Sequence, residues 1–521
     1  MMVDIPPPIS PALKSGKDAM SLNIPAEISL QPATLDFLSS APKRLLIDGE
    51  WVEATQGKTF DSLNPATGEL LARLALADAE DVARAVQAAR AASEHGPWSQ
   101  TTGEERAGLL WKLADLIDQH ADELAEIETL DNGKPLRVSR KGDLPQASKH
   151  FRYYAGWATK IEGSTLPVSI PNQFVYTLRE PVGVAGLIIP WNFPLLMAAW
   201  KLAPALATGN SVILKPAEET PLSALRLGEL IQESGFPPGV VNILTGPGEP
   251  TGAAITANMG IDKVAFTGST EVGRKVMQAA AVSNLKRISL ELGGKSPNVI
   301  FADADLTRAI KGSTWAIFST AGQECVAGSR LFVERPVYDQ VLEGLSAETQ
   351  RIRVGNGFTP KVHIGPLISG RQLERVMDYV HSGLDEGAQI ITGGERLGGE
   401  LANGYFLKPT IFAYQDDQMA LVQEEIFGPV AAVTAFDEWD ELVQRVNATQ
   451  YGLAAGVWTE NLGKAHRFAR AVKAGTVWIN GYGTFDPAAP FGGYKESGFG
   501  REMGKEALEL FTQVKTVWVG L

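Results

Sequence analysis

The sequence predicts an α/β protein built on doubly wound, mainly parallel sheets, and three observations predict it. Residues 182–294 alternate short apolar, β-rich runs with amphipathic stretches. A second alternation begins near "NVIFADA" and continues to "GTVWING". The chain then closes on "TQVKTVWVGL", a β-rich tail that no helix follows. Strands alternating with helices indicate a parallel sheet covered on both faces, and ligands on such sheets bind beyond the carboxyl ends of the strands.

Taken in order, the opening "MMVDIPPPISPALKSGKDAM" has neither a basic start nor an apolar core of signal-peptide type, so residues 1–44 are expected to form an irregular arm. "VGVAGLIIP" is continuously apolar, as a strand buried on both faces requires. A helix is expected from about 195 to 207, then the strand "SVILKP". In "TPLSALRLGELIQESG", Thr220 is the expected N-cap, Pro221 the first helical residue and Gly235 the stop. "VVNILTG", "KVAFTG" and "RISLELGG" repeat the strand theme, with "TEVGRKVMQAAA" as a helix between the last two. Further helices are expected at about 306–323, 369–386, 437–448 and 462–474. The closing tail would leave an open strand edge, which predicts pairing across a subunit interface.

Composition narrows the function. Apolar residues make up 44% and charged residues 21%, ordinary for a globular chain. A formal charge of −13 argues against nucleic acid, whose phosphates need a basic face. No apolar run approaches the ~20 residues of a membrane span. The single cysteine excludes an internal disulfide and any cysteine-rich metal site, and fits a reducing, cytoplasmic setting. No metal is expected.

That cysteine, Cys325 in "GQECVAGSR", is either a small buried hydrophobe or a nucleophile. Asn192 in "IIPWNFP" is boxed by prolines that fix its backbone, so its amide either satisfies a local turn or faces an oxyanion. Glu291 in "LELGGKSP" has apolar neighbours, and is either an ion-pair partner or a base raised by burial. In "FTGSTEVG", Gly268 closes a strand while Ser269 and Thr270 open a helix, either a plain cap or a phosphate cradle. Lys215 and Glu218 in "KPAEET" are either solvated charges or partners for a ribose diol. "GPGEPTG" has one residue too many for a dinucleotide fingerprint, and "SLELGGKS" puts Ser289 where a phosphate loop needs glycine.

In combination, "IIPWNFP", "FTGSTEVG", "LELGGKSP", "GQECVAGSR", "EEIFGPV" and "PFGGYKESGFGRE", in this order, resemble the NAD(P)-dependent aldehyde dehydrogenase superfamily from about residue 45 onward. The resemblance implies that Cys325 attacks the aldehyde, that Asn192 and the Cys325 N–H form the oxyanion hole, and that Glu291 activates water to release the acid. It implies a secondary proton relay of Lys201 and Glu502. It places Ile188, Pro190, Trp191, Gly268 and Ser269 along the cofactor, Lys215 and Glu218 at the adenosine ribose, and Glu425 with Phe427 at the nicotinamide ribose. A carboxylate at Glu218 favours NAD over NADP, because it repels a 2′-phosphate.

The same resemblance implies a Rossmann-like NAD-binding domain (45–162 and 182–293) and an α/β catalytic domain (294–505). A small β oligomerisation element (163–181 and 506–521) would make dimers or a homotetramer. Phe485 and Phe491 in "GYGTFDPAAPF" would line an apolar pocket, most like that of phenylacetaldehyde and other aromatic aldehyde dehydrogenases. Two alternatives are a coenzyme A-acylating semialdehyde dehydrogenase and a catalytically silent binding protein on the same fold.

Overall fold

The computed structural model describes residues 28–40 and 42–521. Two large sheets dominate it. The first has eight strands, in the order Glu50–Val52, Leu45–Ile47, Val241–Ile243, Ser211–Lys215, Val184–Ile188, Lys263–Thr267, Arg287–Glu291 and Gly498–Phe499. Its five central strands run parallel, and strands at both margins are antiparallel. Every residue of Val184–Ile188 and Ser211–Lys215 is buried, the consequence of helices on both faces.

The second sheet has seven strands, with Pro297–Ile300 and Arg330–Glu334 at its centre. It is parallel apart from the pairing of Gln389–Thr392 with Thr410–Ala413. The two sheets are tied together late in the chain. Gly498 pairs with Glu291 and Phe499 with Leu290, so a segment far along the sequence completes the first sheet at the strand that carries Glu291.

Several local expectations are corrected. Residues 1–27 and 41 lie outside the described residues, but the arm is not irregular throughout. Pro32–Ser39 is a helix with Phe37 and Leu38 buried, and the Gln31 N–H donates to Glu126 Oε2 at 2.9 Å. The helix expected to be capped by Thr220 is Leu222–Ser234, with Pro221 in the cap position. Asp131 replaces the local cap by accepting from the Leu222 N–H at 2.8 Å, while Thr220 Oγ1 donates to the Trp191 carbonyl. Gly235 does end the helix, at φ 94°.

The helix expected over 306–323 stops at Phe318. Thr320, Ala321 and Gly322 then take φ of 49°, 54° and 71°, which breaks the helix ahead of Cys325. The other three helices are shorter than expected by one to three residues at an end, at Gly370–Asp385, Trp439–Val446 and Leu462–Ala471.

The closing tail is not left alone. Thr512–Gly520 pairs antiparallel with Gln173–Pro181 along its full length, and Thr165–Leu166 adds a third strand. This small sheet shows Phe174, Leu178, Val514 and Trp518 to solvent.

Candidate active site

A cavity of about 1720 Å³ is walled by Thr267 and Glu291 of the first sheet and by the loops and helices that carry Asn192, Cys325, Glu425 and Phe485. Cys325, Glu291, Asn192 and Glu502 line it, as do Pro190, Trp191, Gly268, Ser269, Glu425, Phe427, Phe485 and Phe491. Ile188, Lys201, Lys215 and Glu218 are not in its wall.

Cys325 is half-buried on the turn between the left-handed residues and the strand Arg330–Glu334. The turn is held from several sides. Gln323 accepts from the Ile368 N–H at 2.9 Å, the Tyr482 hydroxyl donates to the Val326 carbonyl at 2.7 Å, and the Gly328 N–H donates to Ala316 at 2.9 Å. Two glycines are required here: a Cβ on Gly294 would lie 2.3 Å from the Cys325 carbonyl, and one on Gly322 would lie 2.1 Å from the Gly428 carbonyl. Burial, then the negative charges of Glu425, Glu291 and Glu324, push the thiol well above its usual range. The thiol form is therefore favoured, and a nucleophilic role would require a base.

Asn192 follows the strand Val184–Ile188 and is buried. Its amide donates one hydrogen to the Gln323 carbonyl at 2.9 Å, which pins it to the cysteine turn and leaves the second hydrogen for a ligand oxygen. Glu291 ends its strand, 5% exposed. Burial pushes its carboxyl well above the ordinary range, helped by Glu502 and opposed by Lys201 and Arg501. Glu502 is ion-paired to the buried Lys201. Among the described residues, Glu291 Oε2 and Glu502 Oε2 have no hydrogen-bond partner. The backbones of Glu502 and Phe491 exchange two hydrogen bonds of 2.7 Å, which ties Glu502 to one residue of the aromatic wall.

The residues present fit a dinucleotide. Ser269 caps the helix Thr270–Val282 by accepting from the Val272 N–H at 3.3 Å, presenting a helix N-terminus to the cavity. Thr267, in the cavity wall, has a buried hydroxyl without a partner among the described residues. Glu425 accepts from the Gly294 N–H at 2.9 Å, and a Cβ on Gly293 would lie 2.1 Å from its Oε2. Burial pushes Glu425 up to about 7. Phe427 sits at φ 59° with its ring edge-on to Trp191, centroids 5.1 Å apart. Lys215 and Glu218 form a separate pair 3.6 Å apart, in which Lys215 also donates to the Pro216 carbonyl.

The fold adds residues that sequence reasoning missed. Leu196, Met197 and Trp200 line the cavity from the helix Pro194–Ala207, a spacing of one helical face that reading onward from Asn192 would have found. His150 and His363 also reach the wall. Neither carries a sequence signal, since each stands far from Cys325 along the chain. Among the described residues, no group of three or more His, Cys, Asp or Glu is arranged to hold a metal ion, and no helix is long and apolar enough to cross a membrane.

Comparison with known proteins gives the family. The model of the aldehyde dehydrogenase family matches residues 51–517. The chain is 50% identical over 477 residues to the mitochondrial aldehyde dehydrogenase of Homo sapiens, covering 91% of this chain and 92% of that one. It is 49% identical over 478 residues to the mitochondrial benzaldehyde dehydrogenase of Antirrhinum majus, covering 92% and 89%. An NAD+ complex of an aldehyde dehydrogenase from Bacillus cereus superimposes with a TM-score of 0.93 at 50% identity, covering 95% and 99%.

Proposed function

The chain belongs to the aldehyde dehydrogenase family, and from that premise we propose that it oxidises an apolar, aromatic aldehyde to the carboxylic acid with NAD. The observation that carries this reading is the meeting of Cys325, Asn192 and Glu291, from three separate elements, in one cavity with an aromatic wall. NAD, when bound, supplies the hydride acceptor. Ser269, Thr267 and Glu425 would hold it, with Phe427 and Trp191 beside it.

The chain's own groups perform the rest. Cys325 Sγ bonds to the carbonyl carbon as its proton passes to Glu291, directly or through water. The resulting alkoxide accepts from the free Asn192 N–H and the Cys325 backbone N–H; losing such a donor costs about 3 kcal/mol of stabilisation. Once the thiohemiacetal has been oxidised to the thioester, Glu291 takes a proton from water. The new oxygen bonds to the acyl carbon, the C–S bond breaks, and acid and thiol are released. Lys201 and Glu502 hand the proton onward.

Trp200, Phe485 and Phe491 stack edge to face, with centroids 5.4–6.2 Å apart, and provide area for an aryl or other apolar group. The benzaldehyde dehydrogenase relative supports an aromatic substrate. Glu218 supports NAD over NADP, since its neighbour Lys215 is already engaged by it. The exposed apolar side chains of the three-stranded sheet support a homo-oligomer joined there. The lone unpaired cysteine supports a cytoplasmic setting.

Ranking aliphatic, aromatic and carboxylated aldehydes by kcat/KM with NAD and with NADP tests this reading. Highest values for aromatic aldehydes with NAD, and free acid as product even with coenzyme A present, are expected. Acyl-coenzyme A as the product would overturn the water-activating role of Glu291.

A further inference from the structure

We propose that the aromatic wall contains a hydroxyl-binding subsite, formed by His150 and Trp200, that selects aldehydes carrying a hydroxyl on the aromatic ring. The proposal rests on the aryl-aldehyde reading above. His150 lies on the helix Leu144–Ala155 and Trp200 on Pro194–Ala207, and both side chains line the cavity. Their rings stack with centroids 5.6 Å apart and planes 28° apart. Both residues are more than nine-tenths buried, at 1% and 6% exposure.

The hydrogen-bond bookkeeping of this pair is incomplete in a particular way. His150 Nδ1 lies 2.7 Å from the Gln146 carbonyl. A carbonyl only accepts, so Nδ1 carries the hydrogen and Nε2 presents a lone pair. Burial pushes the imidazole down to about 4 against the opposing Gln146 bond and the Asp486 charge, so the ring stays neutral and Nε2 stays an acceptor. Trp200 Nε1 can only donate. Among the described residues, neither His150 Nε2 nor Trp200 Nε1 has a partner, and both are sealed from bulk water.

Stacked rings thus offer one orphan acceptor and one orphan donor beside Phe485 and Phe491. A hydroxyl has what each lacks, a hydrogen for His150 Nε2 and a lone pair for the Trp200 N–H. A methoxy group answers only the donor, and an unsubstituted ring answers neither. Buried polar groups left unpaired are what allow a site to reject an analogue lacking the matching group.

The test is kcat/KM of the full chain with NAD for phenylacetaldehyde, its 3- and 4-hydroxy derivatives and 4-methoxyphenylacetaldehyde. At least one hydroxylated aldehyde should exceed both the unsubstituted and the methoxy compound by about tenfold. His150→Phe and Trp200→Phe should each bring that ratio toward one. Turnover of the whole panel without discrimination by the unaltered protein would overturn the subsite, leaving the two nitrogens to a trapped water. Failure to oxidise any aryl aldehyde would instead overturn the reading on which the subsite rests.

Discussion

Two lysines are buried among carboxylates near the cavity, and the two clusters differ in one respect. Lys134 pairs with Glu128 and Asp143, its side chain 1% exposed. Both Glu128 oxygens have partners there, Oε1 facing Lys134 and Oε2 accepting from the Leu195 N–H at 3.2 Å. Lys201 is equally buried against Glu502, with Glu291 close enough to feel both charges. Yet among the described residues Glu502 Oε2 and Glu291 Oε2 have no partner. A closed cluster fixes a helix start; a cluster with spare acceptors can take up and pass on protons. Burial of charge alone does not separate structure from chemistry, whereas unsatisfied oxygens facing a cavity do.

Four substitutions test that contrast, beginning with the largest effect. Cys325→Ala should lower kcat for NAD reduction by at least about 10⁴-fold, since the nucleophile is removed while the fold is kept. A residual rate near that of the parent would break the account. Glu291→Gln should lower steady-state kcat by about 10²–10³-fold and slow acyl release more than acylation, so that a slowed first-turnover burst of NADH, its thiol proton passing to water instead, is still read by stopped-flow absorbance. In the closed cluster, Lys134→Met should destabilise the protein by about 3–5 kcal/mol in denaturant unfolding, because two buried carboxyls lose their cation.

Lys201→Met sharpens the comparison through pH. Glu291 is raised by burial and by Glu502, and the Lys201 charge opposes that rise. The base form of Glu291 exists only above its raised pKa, so kcat limited by thioester hydrolysis climbs as pH rises through it. Removing Lys201 should move that limb to higher pH, measured as the midpoint of the kcat–pH profile. An unmoved midpoint would place Lys201 with Lys134 as a structural cation.

Much of the candidate site was legible locally. Asn192 and Glu291 stand at the carboxyl ends of strands of the first sheet and Cys325 on the turn before Arg330–Glu334, positions that short-range pattern reveals. Features set by distant partners were not legible. The Leu222 cap comes from Asp131, 91 residues away, and displaced the role expected of Thr220. The helix before Cys325 ends at Phe318 ahead of left-handed residues that include Thr320 and Ala321, a backbone course that no local propensity encodes. Gly498–Phe499 joins the first sheet beside Glu291 although it follows the whole second alternation in the chain. His150 reaches the cavity only because its helix packs on the helix of Trp200.

The account stands on a covalent acyl intermediate at Cys325 that Glu291 resolves. Rapid acid quench of Glu291→Gln with NAD and an aryl aldehyde, followed by peptide mass spectrometry, observes it directly. The peptide containing residue 325 should carry the mass of the acyl group at close to one per chain within the NADH burst. An unmodified Cys325 peptide during active NADH formation would contradict it.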